Sequence, residues 1–265
     1  MLDLGLKGRA AIITGGSLGI GRAIAEAFAR EGMKVALVAR TADTLEKVAA
    51  KIRAATGAEV LAVPCNVKDT DAVRAAVDAT AKAFGRLDVL INGAAHPGGL
   101  VRNEIEYADP ATLLHDMDVK VMGYFRMAQA VVPHMRANNW GRILNIGGLT
   151  GRGSKQFSGM RNVAICHMTK TLSDQVGQWG ITANVIHPGV VYTPHVQELY
   201  EAEAKKQNLT VEQVEANYKA VTPIRRILTP EDVADAALFL CSTRAGAITG
   251  ESLGVDGGIT RGIFL

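Results

Sequence analysis

The 265-residue chain is 48% hydrophobic with a formal net charge of +3, enough apolar content for a substantial core within one α/β domain. Its basic residues are dispersed along the chain rather than gathered into a stripe, so nucleic acid is not an expected partner. No apolar run approaches the roughly 20 residues that span a bilayer, and residues 1–7 lack the charged-then-apolar layout of a signal peptide; a soluble, cytoplasmic protein without a membrane partner is expected.

Ala10-Ala11-Ile12-Ile13 reads as a buried parallel strand. It runs into Thr14-Gly15-Gly16-Ser17-Leu18-Gly19-Ile20-Gly21, after which Ile20, Ile24 and Phe28 recur at helical spacing. Glycines at 15, 19 and 21 allow a tight turn, close approach of backbone to a pyrophosphate and close helix-on-strand packing, while the free N–H groups of the helix start attract an anion. Lys34 to Ala39 reads as a second strand and Thr41 to Thr56 as a helix, with Gly57 near its end. The rhythm continues with a strand at Val60 to Val63, a helix from Thr70 to Phe84 and a strand at Val89 to Ile91. A long helical stretch from Asp109 and Pro110 to Ala137 precedes a strand at Arg142 to Ile146. A helix from Gly159 to Trp179 and a strand at Ala183 to Ile186 follow.

The polar, helix-prone segment 194–221 fits two short amphipathic helices and reads either as a lid over a substrate or as a solvated excursion. Pro230 opens a helix with Val233, Ala236, Ala237 and Leu240 on one face, and Ser252 to Val255 is the last strand. Cys65, Cys166 and Cys241 are odd in number and far apart, which suits reduced thiols. The six histidines show no paired spacing, and no metal site is assigned.

Several stretches together resemble the short-chain dehydrogenase/reductase family over almost the whole chain. Besides the glycine turn they are Cys65-Asn66-Val67, Leu90-Ile91-Asn92-Gly93-Ala94-Ala95, Asn184-Val185-Ile186-His187-Pro188-Gly189-Val190-Val191-Tyr192-Thr193, Thr229-Pro230-Glu231-Asp232-Val233-Ala234, and Thr249 to Gly258. The resemblance implies a single Rossmann-type domain, a doubly wound seven-stranded parallel sheet with helices on both faces, and a homotetramer or homodimer. It also implies a dinucleotide held by Gly15, Ser17, Leu18, Gly19, Ile20 and Gly21 and by Asn92, Gly93, Pro188 and Gly189. Asn66 and Val67 would flank the adenine, and Val191 and Thr193 the carboxamide and pyrophosphate region. At the end of the second strand the chain has Arg40 rather than a carboxylate; a guanidinium offers forked donors to a 2′-phosphate, which favours NADP(H) over NAD(H).

The family's chemistry uses an asparagine, a serine and a Tyr-x-x-x-Lys. Val119-Lys120-Val121-Met122-Gly123 puts Lys120 at the asparagine, and Asn145-Ile146-Gly147-Gly148 puts Gly148 at the serine, which would make room for a bulkier substrate. Counting back from Met168-Thr169-Lys170 puts Ser158 at the tyrosine and Asn162 at the lysine; a shift of three gives Arg161 and Ile165. No tyrosine occurs between Phe125 and Val191. Ser158 can donate a hydrogen bond, but an aliphatic hydroxyl without a basic partner does not give up its proton. Asn162 can reach a ribose without bringing charge.

Lys120 reads either as a cleft cation, acting as proton donor or as a clamp for an anionic substrate, or as a solvated helix lysine. Tyr192 reads either as a displaced phenol or as a packing aromatic; Tyr124 reads as core, and Arg161 and Lys155 as added positive charge near the cleft. Three functions remain open: an NADP(H)-dependent oxidoreductase on a carbonyl or alcohol, a non-redox lyase, hydratase or isomerase using Lys120, and a catalytically silent nucleotide-binding protein.

Overall fold

The computed structural model describes residues 3–96, 101–153 and 156–262. Seven parallel strands form one sheet: β1 (Ala10–Thr14), β2 (Lys34–Ala39), β3 (Val60–Pro64), β4 (Val89–Asn92), β5 (Gly141–Ile146), β6 (Ile181–Pro188) and β7 (Ser252–Val255), in the order β3-β2-β1-β4-β5-β6-β7. The strands are apolar without strict alternation because both faces are covered. Successive side chains point to opposite faces, so Ala11 and Ile13 of β1 and Val35 and Leu37 of β2 enter one core. Ala10 and Ile12, with Ala36 and Val38, enter the other.

The first core is closed by α1 (Gly19–Arg30), α2 (Ala42–Thr56) and α9 (Pro230–Cys241), through Ile24, Phe28, Leu45, Ile52, Val233, Ala237 and Leu240. The second is closed mainly by α3 (Thr70–Phe84) and α5 (Gly123–Ala137), through Val73, Val77, Met127, Val131 and Met135. Helix ends follow local chemistry: Asp69 accepts from the Asp71 and Ala72 N–H groups to start α3, Thr229 and Asp232 form a reciprocal capping box at α9, and Gly57 and Gly85 close α2 and α3 in the left-handed conformation.

The continuous helix expected from Asp109 to Ala137 is instead two helices, α4 (Pro110–Met117) and α5, joined by a π-helical turn at Asp118–Met122. The wider turn carries one surplus residue and turns Lys120 inward to 3% exposure; turns of this kind recur at functional sites. The next helix, α6 (Gly159–Val176), also stops short of Trp179, where a 3-10 turn at Gly177–Trp179 runs into left-handed Gly180.

Segment 194–221 forms two helices, α7 (Pro194–Gln207) and α8 (Val211–Val221), with a small core of their own. Tyr200 stacks on Tyr218 with ring centroids 5.1 Å apart, and Tyr200, Ala204 and Val214 are buried together. No helix among the described residues is long and apolar enough to cross a membrane.

Candidate active site

Strand order reverses between β1 and β4, and the crevice outside the carboxyl ends of the strands at such a switch point is where open α/β sheets take ligands. The glycine turn sits there. Gly15 has φ +71°, and a Cβ on it would lie 2.7 Å from the Gly93 carbonyl oxygen; a Cβ on Gly21 would strike the Gly15 carbonyl oxygen. Leu18, at the head of α1, is exposed and caps no N–H with its side chain, so the donors of the first turn stay open to an anion. Thr193, which caps α7 through a 3.4 Å bond from the Val196 N–H, stands against the same turn: a Cβ on Gly19 would lie 3.2 Å from its methyl. Arg40 lies exposed just beyond β2, with no hydrogen bond or ion pair among the described residues. A backbone that admits no Cβ, an uncapped helix start and an uncommitted guanidinium suit a dinucleotide with an additional phosphate.

Beside this turn, Ile20, Gly93, Lys120, Ser158, Asn162, Pro188 and Gly189 line a cleft of about 320 Å³. Lys120 Nζ donates to the Gly147 carbonyl oxygen and to Asn162 Oδ1, each at 2.8 Å. Asn162 Nδ2 in turn donates to Thr150 Oγ1 at 2.7 Å, so both ends of the amide are engaged and its oxygen is fixed toward the amine. Burial, and then the nearby Arg161 guanidinium, lower the Lys120 pKa to about 7, with Asp116 and Cys166 acting in the opposite direction. An ammonium has three N–H bonds and a neutral amine two. With two acceptors already in place, the remaining tetrahedral position carries a proton or a lone pair according to pH.

A second buried cation borders the cleft. Arg161, 6% exposed, is paired with Asp116 on α4, itself fully buried, and its Nη2 donates to the His96 carbonyl oxygen at 3.2 Å. Arg161 Nε and Asp116 Oδ2 are buried without a partner among the described residues. Ser158 is buried and donates to Gln156 Oε1 at 3.2 Å. The space opposite Gly148 is taken by protein: a Cβ there would lie 2.9 Å from Asn162 Nδ2. The missing side chain therefore accommodates the Asn162 amide rather than opening room for a larger substrate.

Other candidates lie elsewhere. Tyr192 is 47% exposed and does not border the cleft; its N–H is tied to the Leu228 carbonyl oxygen at 2.8 Å. Tyr124 is buried at the cleft wall and donates to the Ile146 carbonyl oxygen at 3.1 Å; burial pushes its phenol far above the ordinary value. Asn92 is fully buried, donating to Asn145 Oδ1 of β5 at 2.9 Å and to the Tyr124 carbonyl oxygen of α5 at 3.4 Å. Val67 is buried against Gly123, and Asn66 Oδ1 accepts from the Lys68 N–H at 3.2 Å. Val191 is buried and pairs with Leu228; Ser17 is half-buried in the turn. Lys155 lies outside the described residues. Asp116, Thr150, Gln156 and His96 carry no motif of their own, and only their convergence marks them.

This fold, with its glycine turn and switch-point cleft, defines a dinucleotide-binding Rossmann-type scaffold. The chain belongs to the short-chain dehydrogenase/reductase family, residues 15–260 matching the family model described as enoyl-(acyl carrier protein) reductase. It is 36% identical over 257 residues to the short-chain reductase protein NovJ of Streptomyces niveus, covering 94% of this chain and 92% of NovJ. It is 34% identical over 266 residues to the (2S)-[(R)-hydroxy(phenyl)methyl]succinyl-CoA dehydrogenase subunit BbsD of Thauera aromatica, covering 98% and 99%. Among solved structures, L-sorbose reductase from Gluconobacter frateurii in complex with NADPH and L-sorbose superimposes with a TM-score of 0.91 at 32% identity, covering 99% of this chain and 100% of that one.

Proposed function

We propose that the protein is an NADP(H)-dependent oxidoreductase for a carbonyl or alcohol substrate, in which the Lys120 amine carries the proton that a tyrosine carries elsewhere in the family. The observation behind this reading is the buried Nζ at the cleft, held by two acceptors with one position left over. Gly15, Ser17, Leu18, Gly19, Ile20 and Gly21 would cradle the pyrophosphate. Arg40 would meet the 2′-phosphate, Asn66 and Val67 the adenine, and Gly93, Pro188, Gly189, Val191 and Thr193 the nicotinamide half. The NADPH in the L-sorbose reductase complex supports the same cofactor choice. When bound, NADPH supplies the hydride equivalent that carbonyl reduction requires.

In that direction the Lys120 ammonium donates its third N–H to the carbonyl oxygen and yields the proton as negative charge develops there. In the reverse direction the neutral amine removes the proton of the alcohol. Asn162 and the Gly147 carbonyl orient the amine without competing for that third position. Ser158, whose single O–H is given to Gln156 Oε1, can donate to the substrate only by leaving that bond. In this reading α7 and α8 form the lid, and the lysine, the Gly148 backbone, Ser158 and Asn162 stand in for the family's usual four residues.

The test is the pH profile of carbonyl reduction. Because the acid form is required, kcat/KM is expected to hold below pH about 7 and to fall tenfold per pH unit above it, with the oxidation profile its mirror image. Lys120→Met is expected to lower kcat/KM by about 10²–10⁴-fold while leaving NADPH affinity intact. A reduction profile flat through neutrality, or full activity in Lys120→Met, would overturn the assignment.

The same amine favours a second reading: a non-redox reaction through an imine on Lys120. Borohydride trapping of a substrate on Lys120 separates the two. Tight NADPH binding without turnover in either direction or trapping would leave a silent nucleotide-binding protein.

A further inference from the structure

The buried charges around the cleft do not balance. Lys120 and Arg161 are both more than nine-tenths buried, and neighbouring positions 161 and 162 of α6 bring them together, since Lys120 is bonded to Asn162. One buried carboxylate, Asp116, faces them, and it is already paired with Arg161. The cleft lining contributes no carboxylate among its described residues, and the first turn of α6 carries no acidic residue. Among the described residues the pair is also incompletely satisfied, with one guanidinium nitrogen and one carboxylate oxygen unpartnered. Of the two, only the guanidinium nitrogen is a donor that an anion could meet; the free carboxylate oxygen calls for a donor instead.

We infer that the substrate is an oxo acid: a carbonyl compound with a carboxylate within a bond or two of the carbonyl, bound as the anion that neutralises the Lys120 and Arg161 cluster. This rests on the reading that Lys120 meets the reacting oxygen, and adds what lies beside it. The carboxylate supplies the negative charge that the cluster lacks, and a cleft of about 320 Å³, part of which the nicotinamide half would take at Gly93, Pro188 and Gly189, leaves room for a small acid.

The groups facing the amine are Arg161, Asp116, Cys166, the phenol of Tyr124 and the imidazole of His187, whose own pKa is lowered by burial. None of these supplies an uncommitted negative charge. An entering anion stabilises the ammonium form of Lys120, so the acid is expected to bind together with a proton.

The probes are acetoacetate and its uncharged methyl ester, titrated calorimetrically into the full-length protein loaded with NADP⁺, where no reduction takes place. Runs near pH 8 in two buffers of different ionisation enthalpy read proton uptake directly. Acetoacetate is expected to bind at least about tenfold tighter than the ester, with uptake approaching one proton per site, and the ester with none. Asp116→Asn, which removes the opposing charge, is expected to tighten the acid and not the ester. Lys120→Met is expected to abolish the uptake and weaken the acid by about tenfold.

Equal affinities for acid and ester in the wild-type protein, or tight acid binding without proton uptake, would overturn the inference. Hydride transfer to neutral ketones with no preference for acids would remove it while leaving the reductase reading intact. Proton-linked binding of acids without turnover would do the reverse.

Discussion

The burial that poises Lys120 for chemistry also acts on the fold. In the unfolded chain the amine keeps its proton to about 10.5, whereas in the folded protein it releases it near 7. Between these values the unfolded state binds more protons, so this residue makes stability rise with pH from about 7 towards 10.5. Below 7 the folded protein bears the full cost of a buried ammonium. Lys120→Met is therefore expected to raise the urea midpoint over wild type at pH 6, with the gap closing as the pH approaches 10. A gap that stays constant over that range would show that the amine does not titrate inside the fold. Position 120 was legible in the sequence through its five-residue motif, but its burial was not: a helix lysine reads equally as solvated. Thr150, Gln156 and Asp116 were illegible for a different reason. They arrive from the segment after β5 and from α4, and nothing local records that they meet. Gly148 was legible as a lost side chain, while the occupant of the space, the Asn162 amide, emerged only from the packing.

At the scale of elements, the strands were readable because each is a short apolar run between turn signals, and the capped helices because Asp69, Thr229 and Pro230 mark their starts. The break between α4 and α5 was not readable. Asp118-Val119-Lys120-Val121-Met122 contains no glycine or proline, so no local signal marks its π turn. The opposite end of the sheet holds another feature without a motif. Asp88, fully buried before β4, accepts from the Ala10 N–H at 2.9 Å and from the Arg86 guanidinium at 2.6 and 2.7 Å. It ties the entry of β4 to β1 far from the cleft. Asp88→Asn removes the charge from these bonds and is expected to cost about 1–3 kcal/mol, read as a lower urea midpoint with unchanged NADPH affinity. An unchanged midpoint would show that the bonds to Arg86 contribute nothing net.

For the whole molecule, the distribution of exposed apolar side chains is informative. Met160 and Val163 on α6 are 52% and 54% exposed, and Phe125 on α5 is 44% exposed. Met160 and Val163, three positions apart on one face of α6, form an exposed apolar pair that suits a contact with a second copy of the chain. The homodimer or homotetramer implied by the resemblance is expected to use this side: light scattering should give a multiple of the 28.1 kDa chain mass, and Val163→Lys should reduce that multiple. A monomeric wild-type protein would count against it.

The π turn between α4 and α5 has one more consequence. An α-helix advances about 100° per residue, and α5 is anchored by Met127, Val131 and Met135 in the sheet's second core. If Asp118 or Val119 were deleted and the turn closed as an ordinary α turn, α5 would hold its place together with Lys120 and α4 would rotate. Asp116 would swing away from Arg161, leaving the cleft with two uncompensated cations although no side chain had been replaced. The charge balance of this cleft is therefore encoded partly in chain length, and a single-codon deletion is a route by which its excess of positive charge can grow.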